Sequence, residues 1–272
     1  IESTTKLPSE ELINKFFPNA TKITSDDIEC IEKRQLQRPT SGSFGVDKTK
    51  CKYGYPQAFV QYPVAHKMSS GMIRLTCPHL VKAIDEWEAS GGIEEMNIEL
   101  QNNQSLINSF YSINKQWKNI RTSSVDAADV TALRNYLGDT NAHNLLYSGL
   151  IGISLEKVTD IKCIHAQIAD TLLRGEERER GNAIGAVALK KLERERGVDV
   201  RGCADCHQQC SGSSSLSPSL SLSSLTPWSY LPAKNKAGLQ AARVRRAQHK
   251  RDEAAARDRE KEKERERKKE RQ

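Results

Sequence analysis

The sequence predicts an α+β fold: a small antiparallel sheet packed against a mostly helical shell, followed by a disordered or partly helical charged tail. Three observations predict it. Two short β-branched and aromatic runs, Ala58-Phe59-Val60-Gln61-Tyr62 and Met72-Ile73-Arg74-Leu75-Thr76, lie between turn-forming segments. From Pro78 onward apolar residues recur at helical spacing. Past Cys210 the composition changes, with nine Ser among the 14 residues 211–224.

Element by element, Ser9 is a candidate cap for a helix over Glu10–Phe17, which Pro18 stops. Ser25 to Leu36 forms a second, weaker helical stretch. Ser41-Gly42-Ser43-Phe44-Gly45 breaks helix, and Cys51 to Pro56 reads as a turn. Leu80, Ile84 and Trp87 then share one helix face, with Pro78 in the first turn and Gly91 at the stop. Further helices are expected over Ile93–Asn102, Gln104–Trp117, Ala127–Leu137, Ile161–Leu173 and Ala183–Glu195; residues 141–159 stay ambiguous. This organises the chain as an N-terminal helical extension (1–32), an α+β domain (33–210), a Ser-rich linker (211–232) and a charged basic tail (233–272).

Charge is divided along the same lines. Residues 233–272 carry 16 Lys/Arg against 8 Asp/Glu, whereas the remainder holds 26 against 27. The basic pI therefore belongs to the tail. That tail has no apolar stripe for a coiled coil and no stacking aromatics for specific RNA binding, which leaves weak contact with polyanions as its expected interaction. An unknown protein is the expected partner of the domain. No run of about 18 apolar residues is present, so no membrane span is expected. Seven cysteines at wide spacing, without a secretion signal, point to reduced thiols or metal ligands in an intracellular, cytoplasmic protein.

The blocks CKYGYPQAFVQYPV (51–64), IRLTCPHL (73–80), EASGGI (88–93), KCIHAQIADTLLRG (162–175), GNAIG (181–185) and GVDVRGCADCHQQC (197–210) resemble the uncharacterised domain of unknown function 501 family over about residues 33–210. Two departures are visible: Asn182-Ala183-Ile184-Gly185 stands where the family has Asn-Pro-Ile-Gly, and the charged stretch 176–180 interrupts its Gly-x-Asn segment. The resemblance implies a shared fold and carries over no activity.

The candidate site residues are cysteines. Cys77 precedes Pro78 at a helix start, and Cys163 falls in a first helical turn if Asp160 caps it. Helix N-termini favour thiolates, which serve as metal ligands or nucleophiles; the alternative is that both are ordinary buried residues. If the helix begins at Ile161, His165 lies about 160° or more from Cys163, on the apolar face with Ile168 and Leu172. Cys203-Ala204-Asp205-Cys206-His207 matches the c-type haem attachment pattern, yet half of a zinc site is the better reading of so short a motif. Zinc is thus the expected cofactor, with Cys51, Cys77, Cys163, Cys203 and Cys206 as candidate ligands and Cys51 and Cys77 as partners for the Cys-x-x-Cys pair. Asp85, Glu86, Glu88, Glu94 and Glu95 read as a solvated helix surface, and Tyr53, Tyr55, Tyr62 and Phe59 as sheet packing. There is no Walker loop, Gly-x-Gly-x-x-Gly, Gly-x-Ser-x-Gly or His-Glu-x-x-His. A domain acting by partner binding, stabilised by Cys-ligated zinc, is the leading expectation; a thiol-dependent enzyme using Cys163 or Cys77 is the alternative.

Overall fold

A computed structural model describes residues 6–64, 71–155, 158, 160–176 and 181–212. The Ser-rich segment from 213 and the charged tail fall outside these described residues, as does the charged stretch 177–180. Four strands, β1 (Ala20–Lys22), β2 (Ser43–Asp47), β3 (Ala58–Gln61) and β4 (Ile73–Leu75), pair antiparallel in sequence order. Most helices pack on one face and a short α/π-helical stretch on the other, in agreement with the predicted α+β class.

A bulge in β2 lets one short strand serve both faces. Val46 pairs with Phe59 and Gly45 with Val60, while the register shifts between Ser43 and Gly45. The extra residue turns Phe44 into the main core, while Val46 and Phe59 meet Ile31 on the opposite face. Beneath that second face runs the stretch from Ser25. It is capped by a reciprocal Thr24–Asp27 box and changes from α-helix α2 (Ser25–Glu29) to π-helix over Cys30–Gln35. Segment 1–32 also holds helix α1 (Ser9–Phe16) and the edge strand β1.

The helical shell comprises α3 (Pro78–Ala89), α4 (Gly92–Gln101), α5 (Gln104–Ser123), α6 (Ala127–Leu137), α7 (Asp139–Tyr147), α8 (Ile164–Arg174), α9 (Ala183–Arg196) and α10 (Ala204–Ser211). Leu80, Ile84 and Trp87 of α3 are fully buried, with Trp117, Ile168 and Leu173 in the same core. The α6–α7 hairpin packs around its own cluster of Val130, Leu133, Leu145 and Leu146. Among the described residues no helix is long and apolar enough to cross a membrane.

Helix α8 is held at its centre by polar groups inside the core. The Asn182 amide donates to Gln167 at 2.8 Å and to Asp170 at 3.0 Å, while its oxygen accepts from the N–H groups that open α9. Arg174 lies 3.4 Å from Asp170, and both are almost fully buried. At Gly185 the two helices come so close that a Cβ would stand 2.1 Å from the Gln167 carbonyl oxygen. Only glycine permits this approach.

Candidate functional site

Two groups of chemistry-bearing side chains gather at opposite ends of α3, about 16 Å apart at the helical rise of 1.5 Å per residue. The first lies at its C-terminal end, where Asp85 and Glu88 stand one turn apart on one face. Acidic groups are unfavourable at a helix C-terminus, and this last turn contains no basic residue. A cation must therefore come from elsewhere, and His165 on α8 supplies it. Its Nδ1 is 3.3 Å from Glu88 Oε1 and its Nε2 is 3.4 Å from Asp85 Oδ1.

The start of α8 decides whether Cys163 joins them. The helix begins at Ile164, not Ile161, and Cys163 is its N-cap in extended conformation (φ −160°, ψ 122°). Asp160 is not the cap. Two tertiary interactions draw residues 161–163 out of the helix. Asn97 on α4 accepts from Ile161 N at 2.7 Å and donates to its carbonyl at 3.3 Å; Glu88 accepts from Ile164 N at 2.6 Å. Cys163 thereby escapes the helical phase that would separate it from His165. Its Sγ lies 3.9 Å from His165 Nδ1, and His165 faces the acids at the surface instead of the apolar core.

Sulfur, nitrogen and oxygen donors of Cys163, His165 and Glu88 all lie within 4.8 Å of one another. Among the described residues no other three potential ligands converge this closely. All three are half-buried. Burial opposes a charge on His165, but the contacts with Cys163 and Glu88 override it and raise its pKa to about 10. Burial likewise pushes the Glu88 carboxyl up, yet His165 and the N–H groups opening α8 outweigh it and hold the group below its ordinary value.

The second group lies at the N-terminal end of α3, under α10. The loop before α10 runs along the turn after Cys51: Lys52 N donates to the Arg201 carbonyl at 2.9 Å, Lys52 pairs with Asp199 at 2.7 Å, and Gln57 donates to Val200 at 2.9 Å. Gly202 (φ +115°) fits between Cys51 and Cys206, where a Cβ would be 3.5 Å from each side chain. Cys203 caps α10, its sulfur accepting from Cys206 N at 3.4 Å while Cys206 Sγ accepts from Cys203 N at 3.2 Å. Cys206 neighbours Cys77, the N-cap of α3, and Cys210 neighbours Cys30; the Cys206 thiol donates to the Cys203 carbonyl at 3.1 Å, and Cys210 Sγ accepts from Gln35 at 3.5 Å. His207 stacks on Tyr53 at a centroid distance of 4.3 Å and on Tyr55 at 5.8 Å, so these two tyrosines pack on α10 and not on the sheet.

Four of the five expected metal ligands, Cys51, Cys77, Cys203 and Cys206, gather at the N-terminal end of α3, and one lies apart. Cys77 and Cys206 are neighbours, Cys203 adjoins Cys206, and Cys51 lies beside Gly202. Cys163 belongs to the other end of α3, with a histidine and a carboxylate. Asp85 and Glu88 were missed as a solvated surface; the one available signal was acidic residues where the helix dipole disfavours them.

A third feature, a cleft of about 420 Å³ lined by Asn14, Lys15, Phe16, Gln116, Asn119 and Arg174, opens at the far end of α8.

Residues 47–190 match the family described as protein of unknown function (DUF501). The chain belongs to this family. The DUF501 match contains the whole Asp85–Glu88–Cys163–His165 group together with Cys51 and Cys77, whereas Cys30, Cys203, Cys206 and Cys210 lie outside it. No curated protein and no solved structure matches the chain.

Proposed function

We propose that this DUF501 chain is a metal-dependent protein whose centre binds one zinc ion through Cys163 Sγ, His165 Nδ1 and a Glu88 carboxylate oxygen. The observation that carries this reading is the convergence of three different donor atoms within 4.8 Å at half-buried depth. The separations of 3.3 and 3.9 Å between neighbouring donors fit ligands sharing a tetrahedral ion with bonds of about 2.0–2.3 Å. A mixed sulfur, nitrogen and oxygen set suits zinc. Asp85 supports the reading, because a ligating imidazole commonly gives its other N–H to a carboxylate that orients the ring.

Three protein ligands leave a tetrahedral ion one open position. In this reading zinc supplies a Lewis acid that polarises a bound water or substrate oxygen at a surface open to solvent. The role of the chain's own residues is to hold that position open and keep the imidazole in the tautomer that ligates through Nδ1.

A second reading, a thiol nucleophile at Cys163 with His165 as its partner, is favoured by the position of Cys163 as N-cap of an eleven-residue helix. One experiment separates the two. The full chain is loaded with zinc or cobalt, freed of excess ion, and analysed for metal beside Cys163→Ser and His165→Ala. One zinc per chain, and a sulfur-to-cobalt charge-transfer band lost in both variants, supports the metal centre. A metal-free protein whose Cys163 is alkylated fastest, with the advantage lost in His165→Ala, overturns it in favour of the nucleophile.

A further inference from the structure

The Cys-x-x-Cys pair at the start of α10 belongs neither to the metal centre nor to the family match, which ends at residue 190. Cys203 is the N-cap of α10, and Cys206 is the third residue of its first turn. Each sulfur rests on the other's backbone. Cys203 N donates to Cys206 Sγ at 3.2 Å, Cys206 N donates to Cys203 Sγ at 3.4 Å, and the Cys206 thiol donates to the Cys203 carbonyl at 3.1 Å. At the rise and radius of an α-helix, two residues so placed have Cα atoms about 5 Å apart, inside the range of about 4.4–6.8 Å that a disulfide spans. Burial then divides the seven cysteines. Cys163 and Cys203 are half-buried, and the other five are buried. Cys163 stands beside an imidazole, whereas Cys203 has a second thiol within its own turn.

We propose that Cys203 and Cys206 are a redox modification site that takes a small disulfide of the glutathione class and closes into an intramolecular disulfide across the first turn of α10. Cys203 is the entry thiol, because it is open to a molecule in solution. Cys206 is buried and needs to reach only Cys203, which makes it the resolving thiol. In the first step Cys203 loses its proton to solvent, and its thiolate attacks one sulfur of the small disulfide. A mixed disulfide forms and one small thiolate leaves. Cys206 then gives up its proton, attacks Cys203 Sγ and expels the second small thiolate. The two protons neutralise the two expelled thiolates, so two protein thiols and one small disulfide become one protein disulfide and two small thiols. Burial pushes the Cys203 thiol above its ordinary value, and the first step is correspondingly slow at neutral pH. The Cα spacing already suits the product, so side-chain rotation brings the sulfurs to the S–S bond of about 2.05 Å without displacing α10. In the reduced chain the two sulfurs form the capping box of this helix; oxidation exchanges that box for a covalent link in the same turn.

The test is a non-reduced peptide map of the full chain after incubation with oxidised glutathione at about pH 8.5, near the ordinary thiol pKa. Remaining thiols are alkylated in denaturant before digestion. The wild-type chain is expected to show a Cys203–Cys206 bond, located by fragmentation of the peptide that spans both residues. That peptide is lighter by about 2 Da than its reduced, unalkylated form and retains no glutathione on either residue. Cys206→Ser is expected to stop at the first step and keep one glutathione on Cys203. Cys203→Ser is expected to leave Cys206 reduced and alkylated. Should either variant fail to fold, the wild-type map decides alone. Alkylation of both residues in the wild-type chain overturns the proposal, and a metal ion that shielded the pair would give this result. A bond from either residue to Cys77 or Cys210 in place of the Cys203–Cys206 link overturns it as well, as does Cys206→Ser without glutathione on Cys203. Cys163→Ser leaves the wild-type pattern unchanged, so this outcome is independent of the zinc centre.

Discussion

The two ends of α3 use cysteine in opposite ways. At the C-terminal end one thiol stands beside an imidazole and a carboxylate, half open to solvent, in a group whose donors differ in kind. At the N-terminal end thiols meet thiols, and Cys77, Cys206, Cys30 and Cys210 are all buried. Mixed donors converging at a surface suit an exchangeable ligand, whereas buried thiols suit packing between elements. Residue type alone does not distinguish a site from a fastening; its neighbours and its depth do.

The largest expected effect breaks one end and spares the other. Removing one of three ligands by Cys163→Ser or His165→Ala weakens zinc binding by more than about 100-fold, since even outer partners are worth 10–100-fold. Cys206→Ala leaves it unchanged, and a competition titration with a chromophoric chelator measures both. Next in size is Asp85→Asn. Asp85 is about half exposed and meets the far nitrogen of His165, so zinc affinity drops about 10–100-fold while one zinc per chain still binds at saturation.

Cys206→Ala tests the other end. It removes a buried sulfur between α10 and α3, at a cost of about 1–2 kcal/mol in denaturant unfolding. The last prediction concerns the sheet and is read as a slope against pH. Burial raises the Asp47 carboxyl to about 6, against 3.8 in an ordinary setting, although Gln57 and Ala58 N–H groups donate to it. Between those values the folded chain holds a proton that the unfolded chain has released, so stability falls as pH rises from about 4 to 6 and levels off above. The loss is at most about 3 kcal/mol. Asp47→Asn removes the slope, read by unfolding at a series of pH values, and neither end of α3 responds.

Where local pattern and packing agree, the sequence was readable to within a residue or two. The helix starting at Pro78, the run Ala127–Leu137 and the run from Ala183 with its Gly197 stop all form as their periodicity predicts. The three-residue strand β1 and the bulged β2 are too short or too glycine-rich to show a period of two. Helix α10 is polar apart from Ala204 and its cysteines and is shaped by docking more than by propensity. The start of α8 is the instructive error. Ile161 continues the apolar spacing, and nothing local reveals that Asn97 and Glu88, 64 and 76 residues distant, hold the preceding residues extended. That single displacement of the helix start creates the candidate site.

The buried set of Gln167, Asp170, Arg174 and Asn182 has a consequence for how α8 can respond to a ligand. Sliding α8 by one turn along α9 would part the Asn182 amide from Gln167 and Asp170 and move Gly185 off its close approach to the Gln167 carbonyl. The helix is in effect keyed, like a bolt with a notch. Any adjustment to an occupant at Cys163 and His165 must then come from the C-terminal turn of α3 or from the strap 160–163, while α8 remains the fixed jaw.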